Sequence, residues 1–542
     1  MTNTRISNNG GHLDPRRVTH PAHPGLPDAG LLRSRPHAVV VGAGIAGLAA
    51  ATGLVERGVS VDVIERESYL GGRVGGWTEL LPDGTPLAMN RGFHAFFRQY
   101  YNLRDLLRRS DFGLRRLTPV DDYPLIDASG RRDTFRGLPR TPPWNALMFA
   151  LRSPTFRLRD LAGLNARAAA PLAAVSVPEI YRRLDDVDAD TFLQDINFPD
   201  AARHLAFEVF SRSFFAEPAR LSAAELAAMF HIYFLGSSEG LVFDVASENF
   251  DTCLWDPLRE YLSRRGVRFH TSVSVTGIEA PKIKAPEIKA GATKAFRVHD
   301  DSGAHFDVDA VVIAADVAGL QRIVAASGDL GDEEWRGVVR DLRSAPPFVV
   351  HRLWLDRPVA ADRPAFLGTG GLEPLDNVSV LDRYERQAID WARRHGGSVI
   401  ELHSYAVRDA CPDGLAAGLA DGLRARLHAL YPETRDARVV TERILCRADC
   451  PRFAPGDHAR RPHVVSPHPG LMLAGDGIRI DLPVALMERA ATTGLSAANR
   501  LLSGWGLAGH PLHTVPTQGR SALLRRLALS REAAVSGKPV PR

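Results

Sequence analysis

The sequence predicts an α/β fold in which a parallel sheet is assembled from separated pieces of the chain. Residues 38–66 (AVVVGAGIAGLAAATGLVERGVSVDVIER) have the pattern of an apolar strand, a glycine-rich turn, an alanine-rich helix and a second strand. Residues 470–502 repeat the strand, turn and helix pattern near the other end, and residues 311–316 (VVIAAD) form a further strand between them. Strands that alternate with helices indicate parallel βαβ units.

Length and composition indicate a globular protein of several structural units. The chain has 542 residues, 45% of them hydrophobic and 24% charged, with a formal net charge of +4. This charge is too small for the dense basic face of a nucleic-acid-binding protein, so we expect no nucleic-acid partner. Four cysteines are too few for a disulfide framework and favour a reducing compartment, the cytoplasm. We expect neither a signal peptide nor a membrane span.

The glycine-rich turn is the first functional motif. Gly42, Gly44 and Gly47 form G-x-G-x-x-G between a strand and a helix. The first glycine permits a tight turn, the second lets a pyrophosphate approach the backbone, and the third lets helix and strand pack closely. Glu65 ends the next strand, where a carboxylate can bind ribose hydroxyls and would repel a ribose phosphate. We therefore expect a dinucleotide other than NADP at the helix N-terminus.

A second glycine motif follows at Leu70–Arg73 (LGGR), where an arginine can contact the same phosphates. The two motifs together resemble the large flavoprotein family that contains amine oxidases, protoporphyrinogen oxidase and carotenoid desaturases. The resemblance implies noncovalent FAD. It also implies a Rossmann-like FAD-binding domain assembled from three chain segments, beside a mixed sheet-plus-helix substrate domain.

Two more segments resemble motifs of this family. Gly475-Asp476-Gly477 follows the strand LMLA, and the family's aspartate at this place contacts the ribityl and pyrophosphate part of FAD. The start of the following helix is then expected beside the flavin ring and Val273 beside the adenine. The residues predicted to contact FAD are Gly42, Ala43, Gly44, Ala46, Gly47, Glu65, Arg66, Gly71, Gly72, Arg73, Gly92, Phe93, His94, Val273, Gly475, Asp476, Met487 and Ala490.

Residues 90–94 (NRGFH) resemble the family segment that passes the isoalloxazine, with Asn90 in place of the usual aspartate. His94 is a candidate to orient substrate or flavin, although a lone histidine is more often structural. Aromatic residues repeat here at helical spacing, which is more typical of a core than of a cofactor site. They are Phe93, Phe96, Phe97, Tyr100 and Tyr101.

Four long segments, at residues 91–109, 123–161, 210–245 and 474–494, resemble the isorenieratene synthases of actinobacteria. This branch of the family desaturates the carotenoid β-ring and shifts a methyl group, so the resemblance implies aromatisation of a β-carotene-like ring. A linear carotene desaturase or a carotene isomerase would carry the same motifs, and a non-catalytic carotenoid carrier stays open. Amine oxidation is disfavoured, because no lysine lies outside residues 282–294 except Lys538, and amine oxidases commonly place one beside the flavin.

The proposed chemistry needs a proton acceptor and groups that stabilise a transient cation. For the acceptor we name Asp481 first, then His94 and Glu239, with an Asp481–Arg479 ion pair as the alternative. Aromatic faces stabilise cations, and the candidates are Phe214, Phe215, Tyr233 and Phe234. The cysteine spacing does not fit a metal site, so we predict none.

The partners implied are the carotenoid, a membrane surface and an electron acceptor, either oxygen or a quinone. A helix begun by Thr141 and Pro142 has Trp144, Leu147, Met148 and Leu151 on one face, followed by Arg152, Arg157 and Arg159. Apolar side chains beside arginines suit anionic lipid, so we expect peripheral attachment to the inner face of the cell membrane. An ordinary core helix is the alternative.

These patterns divide the chain into consecutive segments. The predicted segments are a disordered N-terminal tail (1–36), FAD-binding segment 1 (37–125), a helical substrate and membrane-docking segment (126–250), FAD-binding segment 2 (251–318) with a Lys-rich hairpin insert (280–295), the substrate domain (319–440), FAD-binding segment 3 (441–505) and a C-terminal tail (506–542). We also predict a capping box at Ser222 and Glu225.

Overall fold

The structure is a computed structural model that describes residues 14–81, 84–156, 163–165, 168–203, 212–281, 295–407 and 415–519. The strands of these residues are short, apart from three in the second domain. In chain order they are β1 (Val18–His20), β2 (His37–Val41), β3 (Ser60–Glu65), β4 (Gly76–Leu80), β5 (Pro86–Asn90), β6 (Phe96–Phe97), β7 (Leu117–Pro119), β8 (Leu125–Asp127), β9 (Arg132–Asp133), β10 (Phe243–Ala246), β11 (Arg268–Thr271), β12 (Val275–Glu279), β13 (Phe296–Asp300), β14 (His305–Val308), β15 (Ala310–Ile313), β16 (Phe348–Leu355), β17 (Phe366–Gly370), β18 (Asn377–Val380), β19 (Ser398–Ser404), β20 (Val439–Arg447), β21 (Leu471–Leu473) and β22 (Leu512–Thr514).

The helices of the described residues pack around these strands. In chain order they are α1 (Ile45–Val55), α2 (Tyr101–Arg108), α3 (Trp144–Arg152), α4 (Ala170–Ala173), α5 (Glu179–Leu184), α6 (Ala189–Asp195), α7 (Ala223–Phe230), α8 (Asp256–Ser263), α9 (Val317–Ala326), α10 (Glu333–Arg340), α11 (Arg386–His395), α12 (Leu415–Leu430), α13 (Asp457–Arg460) and α14 (Leu486–Gly504). None of the helices in these residues combines the length and apolar character that a membrane crossing requires.

A five-stranded parallel sheet forms the first domain, in the order β11-β3-β2-β15-β21. Its strands come from three distant parts of the chain, as the sequence predicts, and β2 and β15 are buried on both faces. All eleven residues of α1 are buried, because α1 packs between this sheet and α14. The fold places the glycine turn after β2 and the turn after β21 at the same carboxyl edge of the sheet.

A seven-stranded mixed sheet forms the second domain, in the order β20-β16-β19-β18-β17-β8-β9. Neighbours run antiparallel except for β17 and β8. The sheet takes β8 and β9 from the segment predicted as helical and β20 from the segment predicted to bind FAD. Both boundaries shift because β20 pairs with β16 and β8 pairs with β17, and a local sequence pattern does not reveal pairing between distant strands.

The predicted disorder of residues 1–36 is wrong for residues 14–36, and residues 506–519 are also built into the fold. β1 pairs antiparallel with β22, from Val18–Thr514 to His20–Leu512. The buried Asp14 accepts hydrogen bonds from the Tyr101 hydroxyl at 2.7 Å and the Ser237 hydroxyl at 2.6 Å. The two ends of the described chain therefore pair with each other. A sequence pattern is read over a short segment, so it does not reveal contacts between the two ends.

The Lys-rich insert lies between two paired strands. β12 and β13 run antiparallel, with Glu279 opposite Arg297, so the chain reverses direction here as predicted. Residues 282–294, which carry the lysines, lie outside the described residues.

The predicted capping box is half correct. The Ser222 hydroxyl accepts from the Ala224 N–H at 3.2 Å and caps α7, but the Ser222 N–H donates to the Phe453 carbonyl instead of to Glu225. Glu225 is fully buried and accepts from Arg489 at 2.8 Å and from Arg461 at 2.9 Å. The two arginines bind a carboxylate more strongly than one backbone N–H does, so Glu225 joins α7 to the start of α14.

Candidate active site

One cavity of about 760 Å³ runs from the carboxyl edge of the parallel sheet to the face of the seven-stranded sheet. Its first part is lined by the glycine turn, the LGGR loop and the start of α14, and its second part by aromatic and polar side chains of the second domain. An apolar cavity with a few converging polar groups, located between two domains, is the usual form of a cofactor and substrate site.

The glycine turn forms the floor of the first part. Gly42 has φ of +100°, and a β-carbon there would lie 2.6 Å from the Ala314 carbonyl oxygen. A β-carbon on Gly47 would collide with the Gly42 carbonyl oxygen, so Gly47 serves helix packing and does not face the cavity. α1 begins at Ile45 with no side-chain cap, which leaves its first N–H groups for an anion in the cavity.

The LGGR loop lies directly against this turn. The Gly71 N–H donates to the Ala43 carbonyl at 2.8 Å, and Gly44 and Gly71 form a parallel bridge. Arg73 makes a two-pronged ion pair with Asp476, one branch of which measures 3.0 Å. The predicted phosphate-side arginine and ribityl-side aspartate therefore meet each other, and both line the cavity.

These residues fit FAD. Backbone N–H groups, an arginine and two glycines without side chains surround the place for a pyrophosphate, and a β-carbon on Gly72 would approach Gly44 Cα to 3.1 Å. Of the residues predicted to contact FAD, all line the cavity except Ala43, Gly47 and Gly92. Ala43 contributes instead through its N–H, which donates to Glu65 at 2.6 Å.

Glu65 and Val273 mark the adenosine end. The Glu65 carboxylate is buried and accepts from the Ala43 and Glu67 N–H groups at 2.6 and 2.8 Å, which leaves lone pairs for ribose hydroxyls. Burial raises the pKa of Glu65 above its usual value. The Val273 N–H donates to the Glu65 carbonyl at 3.0 Å, so β3 holds Val273 beside the carboxylate.

His94 lies in the cavity wall between the two domains. Its Nδ1–H donates to the Gly92 carbonyl at 2.8 Å, so Nε2 carries the lone pair. Burial lowers the pKa of His94 to about 4, and the imidazole is therefore neutral near pH 7. The residue that accepts this hydrogen bond must be a glycine. Gly92 has φ of +102°, and a β-carbon there would lie 2.9 Å from His403 Cε1.

The structure does not bring the other two proposed proton acceptors to the cavity. The Asp481 side chain is 46% exposed, pairs with Arg479 at 3.4 Å and does not line the cavity. Glu239 lies on a loop outside the cavity, where its N–H donates to the Ser237 hydroxyl at 3.0 Å. Asp481 is close to Gly475 in sequence, which predicts a position near the flavin. The chain instead turns to the surface before α14 begins.

Aromatic side chains form the apolar part of the wall. Of the four residues proposed to stabilise a cation, Phe214 and Phe215 line the cavity, whereas Tyr233 and Phe234 pack behind it. The aromatic run at 93–101 is not one helix, because Phe96 and Phe97 form β6 and α2 begins only at Tyr101. Its members Phe93, Phe97 and Tyr100 line the cavity with Tyr123, Phe243 and Phe366.

A buried polar network next to this aromatic wall was not predicted from the sequence. His403 Nε2 lies 2.7 Å from Glu401, His403 Nδ1 lies 2.7 Å from the Tyr405 hydroxyl, and Arg352 donates to Glu401 at 2.9 Å through Nε. His403 and Tyr405 line the cavity. The available signal was E-L-H-S-Y at residues 401–405, which begins in β19 and ends one residue after it, because alternate residues of an extended chain share one face.

Asn90 belongs to the same network and explains the departure from the usual aspartate. The Asn90 Oδ1 accepts from Arg352 at 2.8 Å, and its Nδ2 donates to Glu385 at 3.2 Å. Burial raises the pKa of Glu385 to about 7, although Arg352 opposes the shift. An aspartate at position 90 would bring a further negative charge against Glu385, whereas the amide serves both neighbours.

Comparisons with known proteins agree with this geometry. Residues 45–502 match the family model described as flavin containing amine oxidoreductase. The chain is 56% identical to the carotenoid phi-ring synthase of Streptomyces griseus over 91% of this chain and 93% of that protein. It is 28% identical to the carotenoid phi-ring synthase of Chlorobaculum tepidum, over 89% and 91% of the two chains.

A solved structure shows the same fold at low sequence identity. The cyclohexylamine oxidase of Brevibacterium oxydans superimposes with a TM-score of 0.59 and 16% identity, over 86% of this chain and 99% of that one. At this identity the likeness concerns the fold alone.

Proposed function

The chain belongs to the flavin containing amine oxidoreductase family, with FAD as its cofactor, and from this premise we propose that it aromatises the β-ring of a β-carotene-like carotenoid with a methyl shift. The product is of the isorenieratene type. The 56% identity to a carotenoid phi-ring synthase supports the substrate class, since it extends over nine tenths of both chains.

The observation that carries the proposal is the continuity of the cavity. The dinucleotide turn and the aromatic wall line one continuous cavity, so a ring held by Phe93, Phe97 and Phe243 would face the place for the flavin. A hydrocarbon ring offers no hydrogen-bonding group, and aromatic walls hold it through buried area and shape.

The proposed chemistry is defined by the hydrogen atoms that the β-ring must lose. A β-ring that becomes a benzene ring loses two hydrides and two protons, and one methyl of the quaternary carbon moves with its bonding pair to the next carbon. When bound, FAD would serve as the two-electron acceptor. The final electron acceptor that we expect is molecular oxygen or a quinone. The protein must exclude water from the cationic ring, hold the ring against the flavin, and take up the protons. The aromatic faces contribute about 0.5 to 2 kcal/mol each to a cation.

We further propose that α3 docks the protein on an anionic lipid bilayer. The Trp144, Leu147 and Leu151 side chains are exposed, at 57%, 43% and 49%. Met148 is half-buried and Phe149 is buried, so the apolar face is narrower than the sequence suggests. Exposed arginines flank it at positions 136, 140 and 152, and Arg157 and Arg159 lie outside the described residues.

The position of α3 suits a route for an apolar substrate. The Phe149 ring stacks on Phe135 at 4.7 Å, Phe135 stacks on Tyr123 at 4.2 Å, and Tyr123 lines the cavity. An aromatic stack thus connects the exposed helix to the cavity wall. Carotenoids reside in bilayers, and we propose the inner face of the cell membrane as the location.

The test is pigment analysis in hosts that accumulate either β-carotene or lycopene. We expect β-carotene to lose four hydrogens per reacting ring without loss of carbon, and proton NMR to show aromatic ring protons. No external methyl donor is needed, and lycopene should be a poor substrate. New double bonds in lycopene with β-carotene untouched would overturn the proposal and favour a linear desaturase.

A further inference from the structure

The polar network on β19 ends in the cavity that holds the substrate ring. Glu401 and His403 lie on one face of β19, Tyr405 is the first residue after the strand ends, and His403 and Tyr405 line the cavity. Its other end is Arg352 on β16, the direct cross-strand neighbour of Glu401. Asn377 on β18 is the direct neighbour of His403.

The hydrogen bonds fix the tautomer of His403. A carboxylate only accepts, so the 2.7 Å contact with Glu401 requires a proton on Nε2. Nδ1 then carries the lone pair and accepts from the Tyr405 hydroxyl at 2.7 Å. The Phe93 N–H is 3.4 Å from Nε2, too long to compete.

The same bonds leave Tyr405 able to accept a proton. Its hydroxyl donates to His403 and receives the Asn377 Nδ2–H at 3.0 Å. The Asn377 Oδ1 at the cavity has no hydrogen-bond partner among the described residues. The end of the network at the cavity is therefore polar and lies beside the aromatic side chains of the wall.

We propose that Tyr405 is the proton acceptor of ring aromatisation, with His403 as the base behind it and Glu401 as the group that holds His403. The inference rests on the proposed function. After the methyl shift, the ring carbon that received the methyl loses its hydrogen as a proton to the Tyr405 oxygen, and the C–H electron pair completes the aromatic ring. In the same step the Tyr405 proton passes to His403 Nδ1.

The charges around His403 suit this transfer. Although burial opposes it, Arg352 and His403 lower the pKa of Glu401 to about 2, so a carboxylate is present to stabilise the imidazolium. The arrangement has the roles of a Ser-His-Asp triad, with a phenol in place of the serine and a cationic ring as the proton donor. His94 lines the same cavity, but its one hydrogen bond among the described residues is from Nδ1–H to the Gly92 backbone carbonyl.

The test uses purified full-length holoenzyme with β-carotene in detergent and a quinone as acceptor. In Tyr405→Phe we expect normal FAD content and an unchanged KM, while kcat for the aromatic pigment falls roughly 100-fold, the usual contribution of a general base. Pigment that lacks only two hydrogens per reacting ring should accumulate, because the first oxidation of the ring is completed, whereas the second cannot be completed without uptake of the last proton. His403→Gln should give the same shift in product ratio, since glutamine can accept a hydrogen bond but has no basic nitrogen.

Tyr431→Phe is the matched control, because Tyr431 is a buried tyrosine of the same domain that does not line the cavity. It should retain the wild-type rate and product ratio. The proposal is overturned if Tyr405→Phe keeps the aromatic rate within about threefold, or if all products fall in proportion. It is also overturned if His403→Gln keeps the wild-type ratio. Absence of aromatic pigment from wild-type enzyme would instead defeat the proposed function.

Discussion

Gly44 and Gly72 face each other at the floor of the cavity. Gly44 lies on the first glycine turn, and Gly72 lies on the LGGR loop. A β-carbon on Gly72 would lie 3.1 Å from Gly44 Cα, whereas one on Gly44 would meet only Gly72 Cα, at 3.9 Å. The protein itself therefore has room for a side chain at position 44. The space that such a side chain would fill is the space for the pyrophosphate.

Gly44→Val should fold but lose FAD. The valine methyl groups would enter the cavity and keep a pyrophosphate from the N–H groups of α1. We expect FAD affinity to fall roughly 100-fold or more, which corresponds to about 2.7 kcal/mol. The measurement is the flavin absorbance per mole of purified protein, with far-ultraviolet circular dichroism to confirm the fold. A variant that retains stoichiometric FAD would show that the cofactor lies elsewhere.

Gly47→Val is the contrasting control. A β-carbon at this position collides with the Gly42 carbonyl oxygen and does not face the cavity. We expect this variant to be insoluble or unfolded, in contrast to Gly44→Val.

Glu225→Gln should destabilise the protein by about 3 kcal/mol, the lower end of the cost of breaking a buried ion pair. The change leaves Arg489 and Arg461 buried without a counter-charge, and Arg489 is on the helix that lines the cavity. Urea unfolding of the holoenzyme measures the difference. Glu179→Gln is the control: the Glu179 side chain is 38% exposed and pairs with the solvent-exposed Arg182 and, at 3.8 Å, with Arg183, so the unfolding midpoint should change little. Equal midpoints for both variants would refute the role given to Glu225.

Acid should destabilise the protein through the same carboxylate. Burial alone would raise the pKa of Glu225, but Arg489 and Arg461 lower it to about 2, below its usual value of 4.5. A depressed pKa contributes stability that is complete above about pH 4.5 and is lost as the pH falls toward 2. The free energy of unfolding of Glu225→Gln should therefore depend less steeply on pH in that window than that of wild type. Identical slopes would contradict the assignment, even though Glu401 titrates in the same window.

The apolar face of α3 should govern attachment to lipid. Replacing Trp144, Leu147 and Leu151 by glutamine should abolish flotation with liposomes that contain anionic lipid, because the buried apolar area and the adjacent arginines act together. Phe112→Ser is the control, since Phe112 is 87% exposed outside α3. If the triple variant floats like wild type while its flavin spectrum is intact, the docking surface is elsewhere.

The sequence determined the FAD-binding domain almost completely. The signals of its first βαβ unit are local: an apolar strand, glycines at fixed spacing, a helix, and a carboxylate at the end of the next strand. The structure confirms that three separated pieces form one parallel sheet, with Glu65, Arg73 and Asp476 on one cavity. The helical spacing also predicted the apolar residues of α3 that are exposed. It assigned Met148 to the same face, although Met148 is half-buried in the structure.

The side chains that meet at the other end of the cavity could be identified only from the tertiary structure. Whether Asp481 faces the flavin or the solvent depends on where the chain turns between β21 and α14, and it faces the solvent. The Arg352–Glu401 and Asn377–His403 contacts depend on the register of three antiparallel strands, and a shift by one residue would turn each side chain to the opposite face. Register is set by packing across the whole sheet, so no local pattern within a single strand contains it.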